Sequence, residues 1–126
     1  MPAQTPQECE DLFATHLNAG SVDELLALYD SQASHVRADG SVAHGHDAIR
    51  LALQEFVAMR VKLEVRLKKT VEAGHRLAVL YDDWSLSGAG PDGSPIEMNG
   101  KAVHIVQKQL DDKWLFVVTG VTNAGW

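Results

Sequence analysis

The sequence predicts an α+β fold in which three N-terminal helices pack on one face of a curved antiparallel sheet. Three observations support this prediction. Apolar residues recur at helical spacing through the first half of the chain. At Val61 the spacing changes to strict alternation with charged residues, which is typical of a half-buried strand. Beyond Val61, clusters of Gly, Ser, Pro and Asp divide the chain into further strands.

The first helix is expected to begin at Pro6. Thr5 and Glu8 have the spacing of a capping box, in which the threonine hydroxyl accepts from an early backbone N–H and the glutamate reaches back. Gly20 provides a natural end. Between these limits the apolar residues keep to one helical face: Cys9, Leu12, Phe13 and Leu17.

Two more helices are expected before the main sheet. Ser21 and Glu24 form a second capping box, so helix 2 should follow almost without a linker and carry Leu25, Leu26, Leu28 and Tyr29. A short strand over 33–37 and a turn at Asp39-Gly40 come next. Helical spacing of apolar residues then predicts helix 3 from about His46 to Met59.

Four longer strands are expected after helix 3. They run from Val61, from about 76 to 87, from 96 to 110 and from 113 to 122. With this element order, a sheet bent around three helices encloses a pocket.

Length and composition restrict the classes of function. A chain of 126 residues suits one domain spanning residues 1–126. The formal charge of −6 and the pI near 5.4 argue against a nucleic-acid partner, which requires clustered basic residues. Neither a membrane-length apolar run nor a basic start followed by an apolar segment is found, so we expect a cytoplasmic protein without a membrane partner. The single cysteine, Cys9, allows no internal disulfide.

Five short motifs occur in a set order along the chain. They are 19–25 with 28–30, Asp39-Gly40, 45–49, 83–86 before Asp92-Gly93, and 111–114. Together they resemble the nuclear transport factor 2-like superfamily, more narrowly its SnoaL-like and ketosteroid-isomerase-like branch of small bacterial proteins. The resemblance spans about Glu8 to Val121. It implies a cone-like, cystatin-like α+β barrel with a cavity between sheet and helices, and a homodimer built on the outer sheet face.

The ketosteroid isomerases of this superfamily use a carboxylate base, with a tyrosine and a protonated aspartic acid as donors to the enolate oxygen. Counted from the flanking motifs, these positions fall on Arg37, Phe13 and His104. Phe13 has no hydroxyl group, and Arg37 cannot accept a proton at working pH. We therefore do not expect the steroid-isomerase mechanism. Arg37 and His104 instead suit a ligand that bears a carboxylate or an enolate.

Strand alternation narrows the choice of cavity residues. His35 and Arg37 lie two apart and share one face of their strand. Asp82 and Trp84 share one face of the stretch YDDWSL, while Asp83 points the other way. We favour the register with Asp82 and Trp84 inward, and the opposite register stays open.

These faces define a candidate site. We expect His104 to act as acid or base with Asp82 orienting it, and Arg37 and His35 to hold an oxyanion. The expected cavity walls are Trp84, Phe13, Phe56 and Met59. An alternative reading makes Asp82 the partner of Arg37 in a buried ion pair that fixes the walls.

No metal or cofactor is expected. His44 and His46 offer imidazoles in a turn with only Asp47 as a further ligand. Neither a nucleophile elbow nor a glycine-rich phosphate loop opening a helix is found.

Two functional hypotheses follow. The first is a cavity protein that binds a small, mostly apolar, carboxylate- or carbonyl-bearing metabolite and catalyses cofactor-free proton transfer, cyclisation, isomerisation or hydrolysis. The alternative is a non-catalytic ligand-binding or association domain. In both, polar and aromatic groups on the outer sheet face, Glu64, Arg66 and Tyr81, suit a two-fold interface.

Overall fold

A computed structural model describes residues 3–120 of the chain. The helices and strands follow in the order α1 (Pro6–Ala19), α2 (Val22–Leu26), β1 (Tyr29–Val36), β2 (Val42–His44), α3 (Gly45–Ala58), β3 (Lys62–Ala73), β4 (Leu77–Ala89), β5 (Pro95–Lys108) and β6 (Trp114–Thr119). This order confirms the predicted α+β class. No helix within residues 3–120 is long and apolar enough to cross a membrane.

The six strands form one sheet in the order β2-β1-β6-β5-β4-β3. Neighbouring strands are antiparallel except β1 and β6, which run parallel. The β3–β4 register shifts between Leu67 and Lys69, and the β5–β6 register shifts between Ile105 and Val106. Because such irregularities bend and twist a strand, the sheet curves. Helix α1 packs chiefly against β3, and α3 packs chiefly against β1.

Helix α1 has the predicted ends. The N–H of Glu8 donates to Oγ1 of Thr5 at 3.2 Å, and Gly20 takes the left-handed conformation at φ 72°. The Glu8 carboxylate accepts from the N–H of Gln4 at 3.4 Å, so it satisfies the residue before the cap. The helix start is therefore determined locally, as the sequence indicates.

Helix α2 corrects the prediction in two ways. The side chain of Ser21 makes no capping hydrogen bond, and the helix ends at Leu26. The predicted helical residues Leu28 and Tyr29 instead enter the sheet, where Leu28 C=O accepts from the N–H of Phe116 at 2.8 Å. Both side chains are buried. Pairing with β6 and burial outweigh the local preference to continue a short helix.

The first strand pair also differs from expectation. β1 begins at Tyr29 instead of residue 33, and the three-residue strand β2 was not predicted. β2 is held by pairing of Ser34 with His44 and of Val36 with Val42. A strand this short has no alternation that a sequence pattern could reveal.

Asn18 attaches the end of α1 to the edge strand β3. Its amide Nδ2 donates to the Leu63 carbonyl at 3.0 Å, and its Oδ1 accepts from the Leu63 N–H at 2.7 Å. The side chain thus occupies the place of a neighbouring strand.

Cys9 lies in the core between α1 and β6. It is fully buried, and its thiol donates to the Trp114 carbonyl at 3.6 Å. Burial, followed by the charges of Glu10 and Glu8, raises the pKa of the thiol to about 12. A thiol that stays protonated packs as a small apolar group.

Candidate functional site

A cavity of about 470 Å³ lies between the helices and the concave face of the sheet. The exposed residues of its lining, which mark the opening, are Ala38, Asp39, Glu55 and Met98. Its buried end includes Glu10, Tyr29, Asp82 and Phe116. The cavity volume falls within the range usual for sites of small molecules.

The structure places all eight predicted site residues in the cavity lining. They are Phe13, His35, Arg37, Phe56, Met59, Asp82, Trp84 and His104. Their chemical roles stay predictions.

The strand register separates the two neighbouring aspartates. Asp82 points inward and is 4% exposed. Asp83 points outward, with its carboxylate oxygens 3.7 Å from the ammonium groups of Lys68 and Lys101. The favoured register of YDDWSL is thus the one that the structure adopts.

Asp82 contacts His104 across the β4–β5 pair. Asp82 pairs with Ala102, and His104 lies two residues further along β5 on the same face. Nε2 of His104 lies 3.3 Å from Oδ2 of Asp82. The alternative ion pair with Arg37 is not among the salt bridges of residues 3–120; a guanidinium nitrogen of Arg37 lies 3.5 Å from Oγ of Ser41.

Backbone contact with Gly120 determines which nitrogen of His104 carries the proton. The N–H of Gly120, directly after β6, donates to Nδ1 at 3.2 Å. A nitrogen that accepts a hydrogen bond has no proton, so the neutral ring carries its proton on Nε2. The Nε2–H group of His104 therefore faces Oδ2 of Asp82 at 3.3 Å. This contact suits the predicted arrangement, in which Asp82 orients a histidine acid or base, and that role stays a prediction.

Glu10 is a site residue that sequence reasoning missed. It lies on α1, is 4% exposed, and offers a carboxylate oxygen within 4.8 Å of the corresponding atoms of Asp82 and His104. Burial, and then the adjacent Asp82, raises the pKa of its carboxyl to about 9. One signal could have revealed it: Glu10 precedes Phe13 by three residues and Leu17 by seven, on the cavity face of the helix.

Glu10, Asp82 and His104 have the residue types of a metal site, but the proton on His104 argues against one. An imidazole that binds a metal leaves its other nitrogen free to donate, usually to a carbonyl or carboxylate. Here the other nitrogen accepts from Gly120, so Nε2 holds a proton where a metal bond would form. His44 and His46 are also engaged, with Oγ of Ser34 at 2.9 Å and the Tyr29 carbonyl at 2.8 Å respectively.

His35 lies beside this group on β1. Its Nδ1 is 2.8 Å from Oγ1 of Thr119. Burial lowers the pKa of the imidazole to about 4, with smaller contributions from His104 and Arg37. At neutral pH His35 is therefore uncharged, and Arg37 is left to attract an anionic group.

Aromatic rings form much of the apolar wall. The ring of Phe13 meets that of Phe116 edge-on at 6.0 Å, and the His104 ring meets Phe116 at 5.8 Å. Tyr29 lies 5.3 Å from Phe116, and burial raises the pKa of its hydroxyl to about 12.

The indole of Trp84 occupies space that a side chain at Gly100 on the neighbouring strand would fill. It pairs with Gly100, and a Cβ built at Gly100 would lie 3.0 Å from Cζ2 of the indole. Gly100 therefore leaves the space in which Trp84 closes one side of the cavity.

Comparison with known proteins agrees with this fold. The family model of the SnoaL-like domain matches residues 10–116. No curated protein matches the chain.

Three solved structures illustrate the structural likeness. A ketosteroid isomerase-like protein from Erwinia carotovora atroseptica has a TM-score of 0.81 at 12% identity, covering 90% of this chain and 88% of that one. An NTF-2 like protein of unknown function from Shewanella oneidensis has a TM-score of 0.75 at 17% identity, covering 90% and 92%. An uncharacterised protein with a cystatin-like fold from Caulobacter vibrioides has a TM-score of 0.77 at 16% identity, covering 90% and 82%.

Likeness at such identities concerns the fold alone, and the cystatin-like, nuclear transport factor 2-like architecture agrees with the resemblance of the motifs. The family match covers most of the chain, including the cavity residues from Glu10 to Phe116. The chain belongs to the SnoaL-like domain family.

Proposed function

We propose that the protein binds a small, largely apolar molecule with a carbonyl or carboxylate group and transfers a proton on it without a cofactor. The observation that carries this proposal is the contact of Asp82 with His104 inside an aromatic-walled cavity. A carboxylate that is sheltered from water and faces an N–H group on one side is suited to general base chemistry.

Asp82 is the better base of the pair. Both nitrogens of His104 are engaged, one by Gly120 and one by Asp82. Oδ2 of Asp82 faces Nε2–H of His104, while Oδ1 has no hydrogen-bond partner among the described residues. The carboxylate of Asp82 can accept a proton from a carbon next to the carbonyl of a bound ligand, and the electron pair of that C–H bond then moves toward the carbonyl oxygen.

Arg37 provides the permanent positive charge of the lining. It lies near the exposed residues Ala38 and Asp39 at the opening of the cavity. A guanidinium binds a carboxylate or an oxyanion through two parallel N–H groups. We infer that an acidic end of the ligand lies toward Arg37 and its apolar body lies against Phe13 and Trp84.

Proton transfer can be tested before the substrate is known. Cyclic ketones, β-keto esters and β-keto acids are incubated with the protein in D₂O, and exchange of the hydrogens next to the carbonyl is followed by NMR. The wild type should accelerate exchange for part of this panel. Asp82→Asn should reduce that acceleration by a factor of about 10² to 10⁴, the usual contribution of a positioned base.

The adjacent aspartate gives a matched control. Asp83→Asn removes an identical group from the outer face and should leave the exchange rate unchanged. Circular dichroism and ligand-induced shifts in melting temperature establish that Asp82→Asn still folds and binds. If Asp82→Asn and Asp83→Asn behave alike, the proposed role of Asp82 is wrong.

The engagement of both His104 nitrogens by protein groups favours one second candidate, a ligand-binding domain without catalysis. Under this alternative, the same panel produces melting shifts in the wild type but no acceleration of exchange. Arg37→Gln would then weaken binding of acidic compounds and leave binding of neutral ones unchanged.

We also propose a homodimer through the outer sheet face. Three large apolar side chains on this face are between 36% and 42% exposed: Val71, Leu77 and Tyr81. The ammonium of Lys69 lies 5.4 Å from the centre of the Tyr81 ring. A partner would cover this mixed apolar and charged surface. Sedimentation should give a dimer for the wild type and a monomer for Val71→Glu combined with Tyr81→Glu.

A further inference from the structure

We propose that Glu10 holds a proton against Asp82, so that the two carboxyl groups form an acid–carboxylate pair with one negative charge. This inference deepens the proposed function, because it assigns Glu10 as the residue that positions and tunes the base. The spacing to Phe13 and Leu17 places Glu10 on the cavity face of α1 but does not by itself mark it for such a role.

The unpaired oxygens of the site carry the argument. Both carboxyl oxygens of Glu10 and Oδ1 of Asp82 are buried and have no hydrogen-bond partner among the described residues. Buried polar atoms are nearly always paired, and two ionised carboxylates side by side repel each other. A single proton on Glu10 removes one charge and supplies a donor for Oδ1.

The positions of the side chains allow this sharing. Ligand-type oxygens of Glu10 and Asp82 lie within 4.8 Å of each other, from α1 on one side and β4 on the other. A side-chain hydrogen bond with Asp82 is among the causes that raise the pKa of Glu10. Asp82 then lies between two donors, Nε2–H of His104 and O–H of Glu10.

The surrounding charges point the same way. The titratable groups that face Glu10 are Asp82 on β4 and His104 on β5, and Asp11 is its neighbour on α1. Burial is the largest cause that raises the pKa of Glu10, and both aspartates raise it further. None of the named causes favours the ionised form.

The pair also orients the ligand. With one negative charge at the buried end, a second anion would be repelled there. The neutral carbonyl and its acidic C–H therefore lie next to Asp82, and a carboxylate of the same ligand lies toward Arg37. The preferred ligand class is a small apolar carbonyl compound whose acidic group, where present, is remote from the reacting carbon.

NMR titration of carboxyl carbons tests the shared proton directly. In protein labelled with ¹³C at glutamate and aspartate carboxyls, the Glu10 signal should have its protonated position at pH 7 and move only as the pH approaches 9. Glu10→Gln identifies the signal by its loss. Replacing Asp82 by Asn removes the nearby charge and acceptor, and should lower the Glu10 midpoint by at least one pH unit. A Glu10 midpoint near 4.5 would overturn the proposal.

Two further measurements separate this proposal from a metal site and from a purely structural role. Zn²⁺ or Mn²⁺ added alone should leave the melting temperature and the carboxyl signals unchanged; stabilisation of the wild type but not of Glu10→Gln would instead establish a cation site. Glu10→Gln keeps a neutral donor and Glu10→Ala removes it, so only Glu10→Ala should shift the pH profile of carbonyl exchange. Identical profiles for both variants would contradict a positioning role.

The titration requires no substrate, so its outcome is independent of the proposed function. If Glu10 is protonated but no carbonyl compound exchanges its hydrogens, the proposal of the shared proton is supported and the proposal of proton transfer is wrong. If exchange occurs while Glu10 titrates near 4.5, proton transfer stands and the assignment of Glu10 is wrong.

Discussion

Nε2 of His104 lies 3.3 Å from Oδ2 of Asp82, while the opposite ring nitrogen accepts from the N–H of Gly120. The histidine is therefore fixed between a backbone group after β6 and a carboxylate on β4. This arrangement directs Nε2–H of the imidazole at one oxygen of Asp82, while the other oxygen, Oδ1, is buried without a hydrogen-bond partner among residues 3–120. The proposed chemistry of the site depends on which ring nitrogen of His104 carries the proton.

Glu10→Gln should stabilise the protein increasingly as the pH rises. The pKa of Glu10 is raised from an ordinary value of 4.5 to about 9, so the folded state keeps a proton that the unfolded chain releases. The stability that this proton gives to the wild type is fully present below pH 4.5. It declines by up to about 1.4 kcal/mol per pH unit until about pH 9. Urea unfolding from pH 5 to 9 should give diverging free energies for the two proteins, and parallel curves would contradict the expectation.

His35 should have the opposite pH dependence. Its pKa is lowered from 6.5 to about 4, so between these pH values the unfolded chain binds a proton that the folded state does not bind. The stability that this histidine contributes is present above pH 6.5 and falls as the pH drops toward 4. His35→Gln should therefore lose less stability than the wild type between pH 6.5 and 4.5. The ring-proton signals of His35 should titrate near pH 4, and a midpoint near 6.5 would refute this account.

Asn18→Ala should destabilise the fold by roughly 1 to 2 kcal/mol, because two hydrogen bonds to the Leu63 backbone are lost at a partly buried position. Chemical unfolding measures the effect. Asn18→Asp keeps the acceptor but loses the donor, and should fall between the wild type and Asn18→Ala. Equal stability of all three proteins would show that this contact contributes nothing.

Gly100→Ala should alter the cavity without unfolding the sheet. The new methyl group would lie 3.0 Å from the indole of Trp84, so the ring must shift. We expect a change in tryptophan fluorescence and a smaller ligand-induced melting shift. Asn99→Ala, one residue away on the opposite face of β5, serves as the control and should leave both readouts unchanged.

The sequence pattern predicted much of the fold because its signals are local. The cap at Thr5, the end at Gly20 and the alternation from Val61 depend on neighbouring residues, and each reappears in the structure. The end of α2 was misplaced because Leu28 and Tyr29 respond to β6, which lies far along the chain. Pairing between distant strands leaves no local mark at the position where a helix stops.

The candidate site divides in the same way. Asp82 and Trp84 could be assigned to one face by strand alternation, and His104 by its place in the family pattern. Glu10 shares a helical face with Phe13 and Leu17, but this spacing alone does not assign it, since a glutamate in the first turns of a helix is ordinarily a solvated residue that complements the helix dipole. The role of Glu10 depends on β4 and β5, which place Asp82 and His104 beside it only in the folded protein. The proton position on His104 likewise depends on Gly120, which approaches only in the folded state.

The ring-nitrogen spectrum of His104 tests the central claim most directly. In ¹⁵N-labelled protein at neutral pH, a two-dimensional spectrum of histidine side chains distinguishes protonated from unprotonated ring nitrogens, and His104→Ala assigns the signal. We predict a proton on Nε2, an unprotonated Nδ1, and a change in the Nε2 signal in Asp82→Asn but not in Asp83→Asn. A proton on Nδ1 and none on Nε2 would contradict the account. Nε2 of His104 would then be a hydrogen-bond acceptor, and Asp82 would no longer be the base of the site.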